Sequence, residues 1–239
     1  MDRESKFRLD WHTIALPIVQ EQSSSDPLFI FKQWLARVLI LRPIPSRISG
    51  DSTEETLEPT PSVSDFGAWV SGVVAHAPAA YGVIKSYLKD VLPDLAEIRN
   101  PASGKDSRSL EVTFAHGQET LVLPFGELSD GEKCFLICAL VLASNEAYGP
   151  LLCFWDEPDN HLAIDEVSHL VVALRRAFQS RGQFIATSHN PEAILRFSDE
   201  NTFVLHRKNH LEPSVVRLLE TLKVEGDLMN ALIRGDLQS

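Results

Sequence analysis

The chain has 239 residues, 44% of them hydrophobic and 23% charged, the balance of a globular protein that forms one large domain or two small ones. Its formal net charge of -11 gives no overall attraction for nucleic acid or an anionic bilayer, and no apolar run approaches the ~20 residues that cross one. The segment Met1-Asp2-Arg3-Glu4-Ser5-Lys6 is charged and lacks the apolar stretch of a secretory signal, so the expected location is cytoplasmic.

In chain order, Leu16-Pro17-Ile18-Val19 and a polar Ser23-Ser24-Ser25 stretch come first. Asp26-Pro27 reads as a helix start, and the apolar run Leu28 to Leu41 as a buried helix ended by Pro43 and Pro45. Residues 46–63, with Asp51-Ser52-Thr53-Glu54-Glu55 and Pro59-Thr60-Pro61, read as an exposed, mobile linker. Helical spacing returns at Phe66, Trp69, Val70 and Val73, and again at Tyr81, Ile84, Leu88 and Val91. The period becomes two at Leu110, Val112 and Phe114; His116-Gly117-Gln118 turns the chain into a second strand over 120–125.

Cys134 to Ala143 is apolar all round, as in a buried helix, and Gly149-Pro150 stops it. Leu151 to Trp155 is a continuous apolar run that suits a parallel strand covered on both faces. Ile164, Val167, Leu170, Val171 and Leu174 mark an amphipathic helix. Gln183–Thr187 reads as a strand, Pro191–Phe197 as a short helix, and Thr202–Leu205 as a strand that Asn209-His210 turns toward Val215-Val216. The alternation makes the fold class α/β. Cys134, Cys138 and Cys153 form no Cys-x-x-Cys pair and read as small core residues.

Three segments carry chemistry. In Asp156-Glu157, a buried strand ends in adjacent carboxylates, where an α/β sheet binds its ligands. Neighbouring side chains on an extended chain point opposite ways, so the two acids have different tasks. One suits a magnesium ion, and the other faces a terminal phosphate and the water that attacks it. Ser129 precedes a helix that starts with Gly131 and Glu132; free amides and the helix dipole suit a phosphate there. Ser129 and Glu132 also fit a plain capping box. His189 follows the 183–187 strand, where an imidazole can donate to a phosphate or simply cap a turn.

Leu128-Ser129-Asp130-Gly131-Glu132-Lys133, then Leu151 to Asp156-Glu157-Pro158, then Ala186-Thr187-Ser188-His189-Asn190, resemble the signature loop, Walker B strand and switch histidine of ABC-type ATPase heads. Each interval between them leaves room for one helix and one strand. Asp159-Asn160-His161-Leu162 is more similar to the RecF, structural-maintenance-of-chromosomes and OLD-like AAA ATPases than to transporters. Those heads serve DNA repair, chromosome handling and defence against phage. The resemblance implies the C-terminal half of a P-loop NTPase sheet with a helical lobe, acting on ATP with Mg2+. It gives Asp156 the metal, Glu157 and His189 the catalysis, and Ser129, Gly131, Glu132 and His161 contacts to nucleotide across a dimer. The implied layout is a core remnant over 1–26, a helical lobe over 27–107 and an ATPase core over 108–239.

A phosphate loop needs Gly, four residues, Gly, Lys and Ser or Thr. The nearest candidate, Ser103-Gly104-Lys105-Asp106, has Arg99 for the first glycine and Asp106 for the hydroxyl, and is rejected. The chain is then a fragment, one half of a split ATPase, or a degenerate module that pairs with another ATPase head without catalysis. Its expected partner is a second copy or a subunit bearing the Walker A loop, with nucleic acid reached only through that partner and no membrane contact. A half-built sheet should also leave a large apolar patch exposed.

Overall fold

The computed structural model describes residues 10, 12, 14–197 and 201–221. Among these, no helix is long and apolar enough to cross a membrane. The chain divides into two compact units, residues 1–38 and 39–239. The first contains helix α1 (Pro27–Leu35), capped as expected: the Asp26 side chain accepts the Leu28 N–H, and Pro27 fills the first turn. Lys32 fastens the preceding segment, donating to the Val19 carbonyl at 2.7 Å and pairing with Glu21 at 2.6 Å.

The expected buried helix over 28–41 is not what forms. α1 stops at Leu35 and buries none of its residues, and Val38–Leu41 is a strand, β1. The run is apolar apart from Lys32, Gln33 and Arg37, so its period could not decide. Pairing with β7 (Leu152–Asp156) decides for a strand, with Leu39 and Leu41 buried and Ile40 exposed.

The segment 46–63 is also more closely packed than its polar composition suggests. Ile48, Ser52 and Val63 are buried, and Asp51–Ser52 (β2) pairs with Arg108–Ser109 (β4). The following helix α2 (Phe66–His76) presents two glycines to it. A Cβ on Gly67 would lie 2.3 Å from the Gly50 carbonyl oxygen, and one on Gly72 2.2 Å from that of Thr56. Gly72→Ala should therefore cost about 1–3 kcal/mol, as overpacking does; urea denaturation measures it, and an unchanged midpoint would mean that the segment yields freely.

Helix α3 (Ala80–Val91) packs on α4 (Asp130–Tyr148), which is buried continuously from Lys133 to Asn145. Strands β3 (Leu95–Arg99), β5 (Glu111–His116) and β6 (Glu119–Pro124) form an antiparallel sheet. Its β5–β6 hairpin turns at Gly117, whose φ of 61° suits a residue without Cβ. The expected hairpin therefore stands. The three cysteines are free and buried. Burial pushes the thiols up, to about 12 for Cys134 and Cys138. Among the described residues no cluster of metal-ligating side chains forms.

The sheet that matters for function has the order β1–β7–β8, with β8 spanning Gln183–Thr187 parallel to β7. Register pairs Cys153 with Phe184 and Trp155 with Ala186, and these side chains share one face. That face meets α4, α5 (Ile164–Phe178) and α6 (Pro191–Phe197): Cys153 and Trp155 lie in the core with α4, and Phe184 contacts Phe178 and Phe197. The other face carries Ile40, Phe154 and Ile185. Ile40 is 54% and Ile185 51% exposed. Among the described residues, the expected cover on both faces of the 151–155 strand is thus absent from one, and apolar side chains are exposed there. Phe203–His206 (β9) and Val215–Leu218 (β10) form the final antiparallel pair.

Candidate functional site

β7 and β8 end side by side, and their carboxyl ends build the site. The Thr187 hydroxyl, on the last residue of β8, donates to Asp156 Oδ1 on the last residue of β7. The Thr187 hydroxyl oxygen also accepts the Glu157 backbone N–H at 3.1 Å, and the Thr187 carbonyl accepts it at 3.2 Å. These bonds turn the chain sharply. Glu157 takes a φ of 52°, a left-handed conformation that costs a non-glycine residue of order 1–3 kcal/mol. The turn separates the two carboxylates. Asp156 stays on the bare face of the sheet, and Glu157 Oε1 comes within 3.4 Å of His189 Nε2. Asn160 donates to the other Glu157 oxygen at 3.3 Å.

The loop after Glu157 joins this rim to helix α4. Asp159 is only 4% exposed and accepts the Ser188 hydroxyl at 3.0 Å; its second oxygen has no hydrogen-bond partner among the described residues. Ser188 Oγ in turn accepts the Asn190 N–H, which shapes the turn carrying His189. On the far side of the loop, the His161 carbonyl lies 3.1 Å from where a Cβ on Gly131 would stand, and His161 Nδ1 is 3.8 Å from Asp130. Gly131 therefore permits close contact between the helix start and the loop.

The helix start is a complete capping box. Ser129 Oγ accepts the Glu132 N–H, and Glu132 accepts both the Ser129 N–H and its hydroxyl at 2.7 Å. The capping role of Ser129 and Glu132 is thus present. A phosphate contact by that hydroxyl must displace the Glu132 carboxylate.

Asp156 fits a hard cation by its oxygen chemistry, together with the Thr187 hydroxyl. Its other oxygen lies 3.5 Å from Nε of Arg42, a residue just past β1 that sequence reasoning assigned no role. Thr187 and Asp159 were likewise read only as parts of motifs. Nothing in their spacing signals a bond between residues 31 apart (Thr187 and Asp156) or 29 apart (Ser188 and Asp159). A cavity of about 350 Å³ lies elsewhere, lined by α2, α3, α4 and the β3–β5 sheet, and includes none of the expected site residues.

Burial holds the Asp159 carboxyl above the usual carboxylate range, against a smaller opposite pull from the Ser188 hydroxyl. A raised native pKa means that the folded state binds this proton more tightly than the unfolded chain does. The resulting stability is fully present below the unfolded value near 3.8 and is lost as pH rises through the native one. Wild type should therefore lose stability relative to Asp159→Asn as pH rises from that point. Urea midpoints of the pair across pH 3.5 to about 7 test this; parallel curves would mean that Asp159 titrates normally.

No curated protein matches the sequence. The fold is similar to an Smc head domain with a coiled coil and joint from Pyrococcus yayanosii, with a TM-score of 0.50 and 17% identity over 72% of this chain and 31% of that one. It is equally similar to a structure from work on ATP-driven dimerization and DNA-stimulated activation of SMC ATPases, with a TM-score of 0.50 and 18% identity over 70% of this chain and 96% of that one. The chain spans less than a third of the length of the first. At these identities the likeness is one of fold, an α/β P-loop NTPase head. The family model described as "AAA domain, putative AbiEii toxin, Type IV TA system" matches residues 23–195, and the chain belongs to that family of AAA-type P-loop ATPase domains.

Proposed function

We propose that this chain supplies the hydrolytic side of an ATP site whose phosphate-binding loop comes from another polypeptide segment. The observation that carries the reading is the 3.4 Å approach of Glu157 to His189 beside Asp156, at the carboxyl ends of two adjacent parallel strands. A strand end of this kind is where α/β sheets hold their ligands.

In this reading Asp156 holds Mg2+ through its carboxylate oxygens, and that ion, when bound, supplies charge neutralisation on the phosphates. Glu157 orients the attacking water and accepts its proton. His189 donates a hydrogen bond to the γ-phosphate and fixes Glu157 from the other side. The strained backbone at Glu157 serves to aim its carboxylate away from Asp156. Ser129, Gly131 and Glu132, at the start of α4, face nucleotide held by a second head, with His161 at the same interface. The expected assembly is a dimer with a second copy or with a subunit bearing the Walker A loop. Nucleic acid is reached through that partner, the location is the cytoplasm, and the role is in DNA repair or phage defence.

The Arg42–Asp156 ion pair favours one other reading, a module that pairs with an ATPase head and does not hydrolyse. Its guanidinium sits where a cation would approach. Binding of Mg2+ and a non-hydrolysable ATP analogue, measured on the chain joined to a P-loop-bearing segment, separates the two. Hydrolytic function requires Mg2+-dependent binding that weakens in Asp156→Asn. Binding indifferent to Mg2+ and to that substitution would leave only the pairing module.

A further inference from the structure

The cavity bounded by α2, α3, α4 and the β3–β5 sheet includes none of Asp156, Glu157 or His189, and the proposed ATP site makes no use of it. Its volume of about 350 Å³ lies in the range of small-molecule sites. A chamber of ~150 Å³ lined by leucine, isoleucine and phenylalanine already accepts benzene. This one has room for two fused rings. Most of its wall belongs to the hydrophobic core: Phe66 and Val70 of α2, Ile84 of α3, and Leu136 and Leu140 of α4 are all buried. Such a wall favours an apolar body over an ionic one.

One part of the wall is polar. Asn100, just after β3, and Ser71 of α2 both line the cavity. The hydrogen bonds around Ser71 fix the orientation of the Asn100 amide. The Ser71 hydroxyl donates to the Gly67 carbonyl at 2.8 Å, so toward Asn100, 2.7 Å away, its oxygen can only accept. The amide nitrogen of Asn100 therefore faces Ser71. Asn100 Oδ1 is the atom left over, and it is buried with no hydrogen-bond partner among the described residues. A buried acceptor without a donor is costly, and a ligand that brings an N–H or O–H relieves that cost. Charge gives no comparable demand. Glu55, Arg99 and Arg108 at the cavity are exposed and of both signs; Arg99 pairs with Glu97 at 3.4 Å, and Arg108 donates to the Asn100 carbonyl at 3.1 Å.

We propose that this cavity binds an uncharged, mostly apolar molecule of about two fused rings that carries one hydrogen-bond donor, and that the donor is received by Asn100. The site is independent of the nucleotide reading.

The test uses the full chain, with backbone amide shifts followed by NMR, and two probes. Indole has two fused rings and one N–H. Benzothiophene has nearly the same shape, with sulfur in place of the N–H. Indole should bind with a Kd below about 1 mM, its shifts concentrated at Val70, Ile84 and Leu136, and benzothiophene should bind at least about tenfold more weakly. Val74→Phe, at a partly buried position on the cavity wall, should fill the chamber and remove indole binding without lowering the thermal midpoint. Shifts absent up to about 5 mM indole would overturn the proposal, because the cavity then admits no ligand of this class. Equal affinity for the two probes would overturn it by removing the donor. Shifts that gather on the β1–β7–β8 sheet, or that persist in a folded Val74→Phe variant, would overturn it by placing the binding elsewhere. If Val74→Phe does not fold, the position of the shifts and the ratio between the probes in the wild-type chain still decide.

Discussion

Glu157→Gln in the completed site is expected to cut ATP turnover by ~10²–10⁴-fold while leaving nucleotide binding intact. The substitution keeps the shape of the side chain and a carbonyl oxygen for Asn160, which donates to Glu157 at 3.3 Å. It removes the capacity to take a proton from water. Because Glu157 is partly exposed and its backbone bonds run to Thr187, the fold should not notice the change. Phosphate release under single-turnover conditions, with analogue binding as the control, measures both quantities. Turnover that survives in the glutamine variant would show that water is activated by another group, and would return Glu157 to a purely structural part.

Trp155→Ala should be the most damaging substitution in the sheet, costing about 3–5 kcal/mol. The indole is fully buried on the covered face of β7, in the core shared with α4. It is also the residue before Asp156, so the cavity left by its removal lies directly under the site. Two effects should appear together: a lower urea midpoint, and weaker Mg2+-dependent nucleotide binding in the completed site. Trp155→Phe fills most of the same space and should lose far less of both. If Trp155→Ala lowers stability without touching binding, the strand end is held by the Thr187 hydroxyl and not by the core beneath it.

Legibility varied along the chain for identifiable reasons. The helix over 130–148 and the hairpin around Gly117 could be read because a local signal agreed with the final structure: a capping box, a stop at Gly149-Pro150, and strict alternation either side of a turn. The 28–41 run failed because a stretch with so few polar residues has little period to read, and only the ladder to β7 makes Val38–Leu41 a strand. The 46–63 segment looked solvated because its side chains are polar. Its packing is done by the backbone, whose carbonyls at Gly50 and Thr56 press onto Gly67 and Gly72, and composition does not report backbone contacts.

The sequence by itself determined three local patterns, each fixed within a few residues: the serine-glycine helix start, the carboxylate pair at a strand end and the histidine after the next strand. Only the tertiary structure decided where they lie relative to one another. It turned Glu157 left-handed toward His189, tied Asp156 to Thr187 and Arg42, and buried Asp159 against Ser188. Among the described residues it also left Ile40 and Ile185 exposed on one face of the sheet and no strand paired to the outer edge of β8. Those outcomes depend on contacts between residues about thirty or more positions apart, and a chain specifies such contacts only by folding, through the burial and hydrogen bonding of all its parts at once.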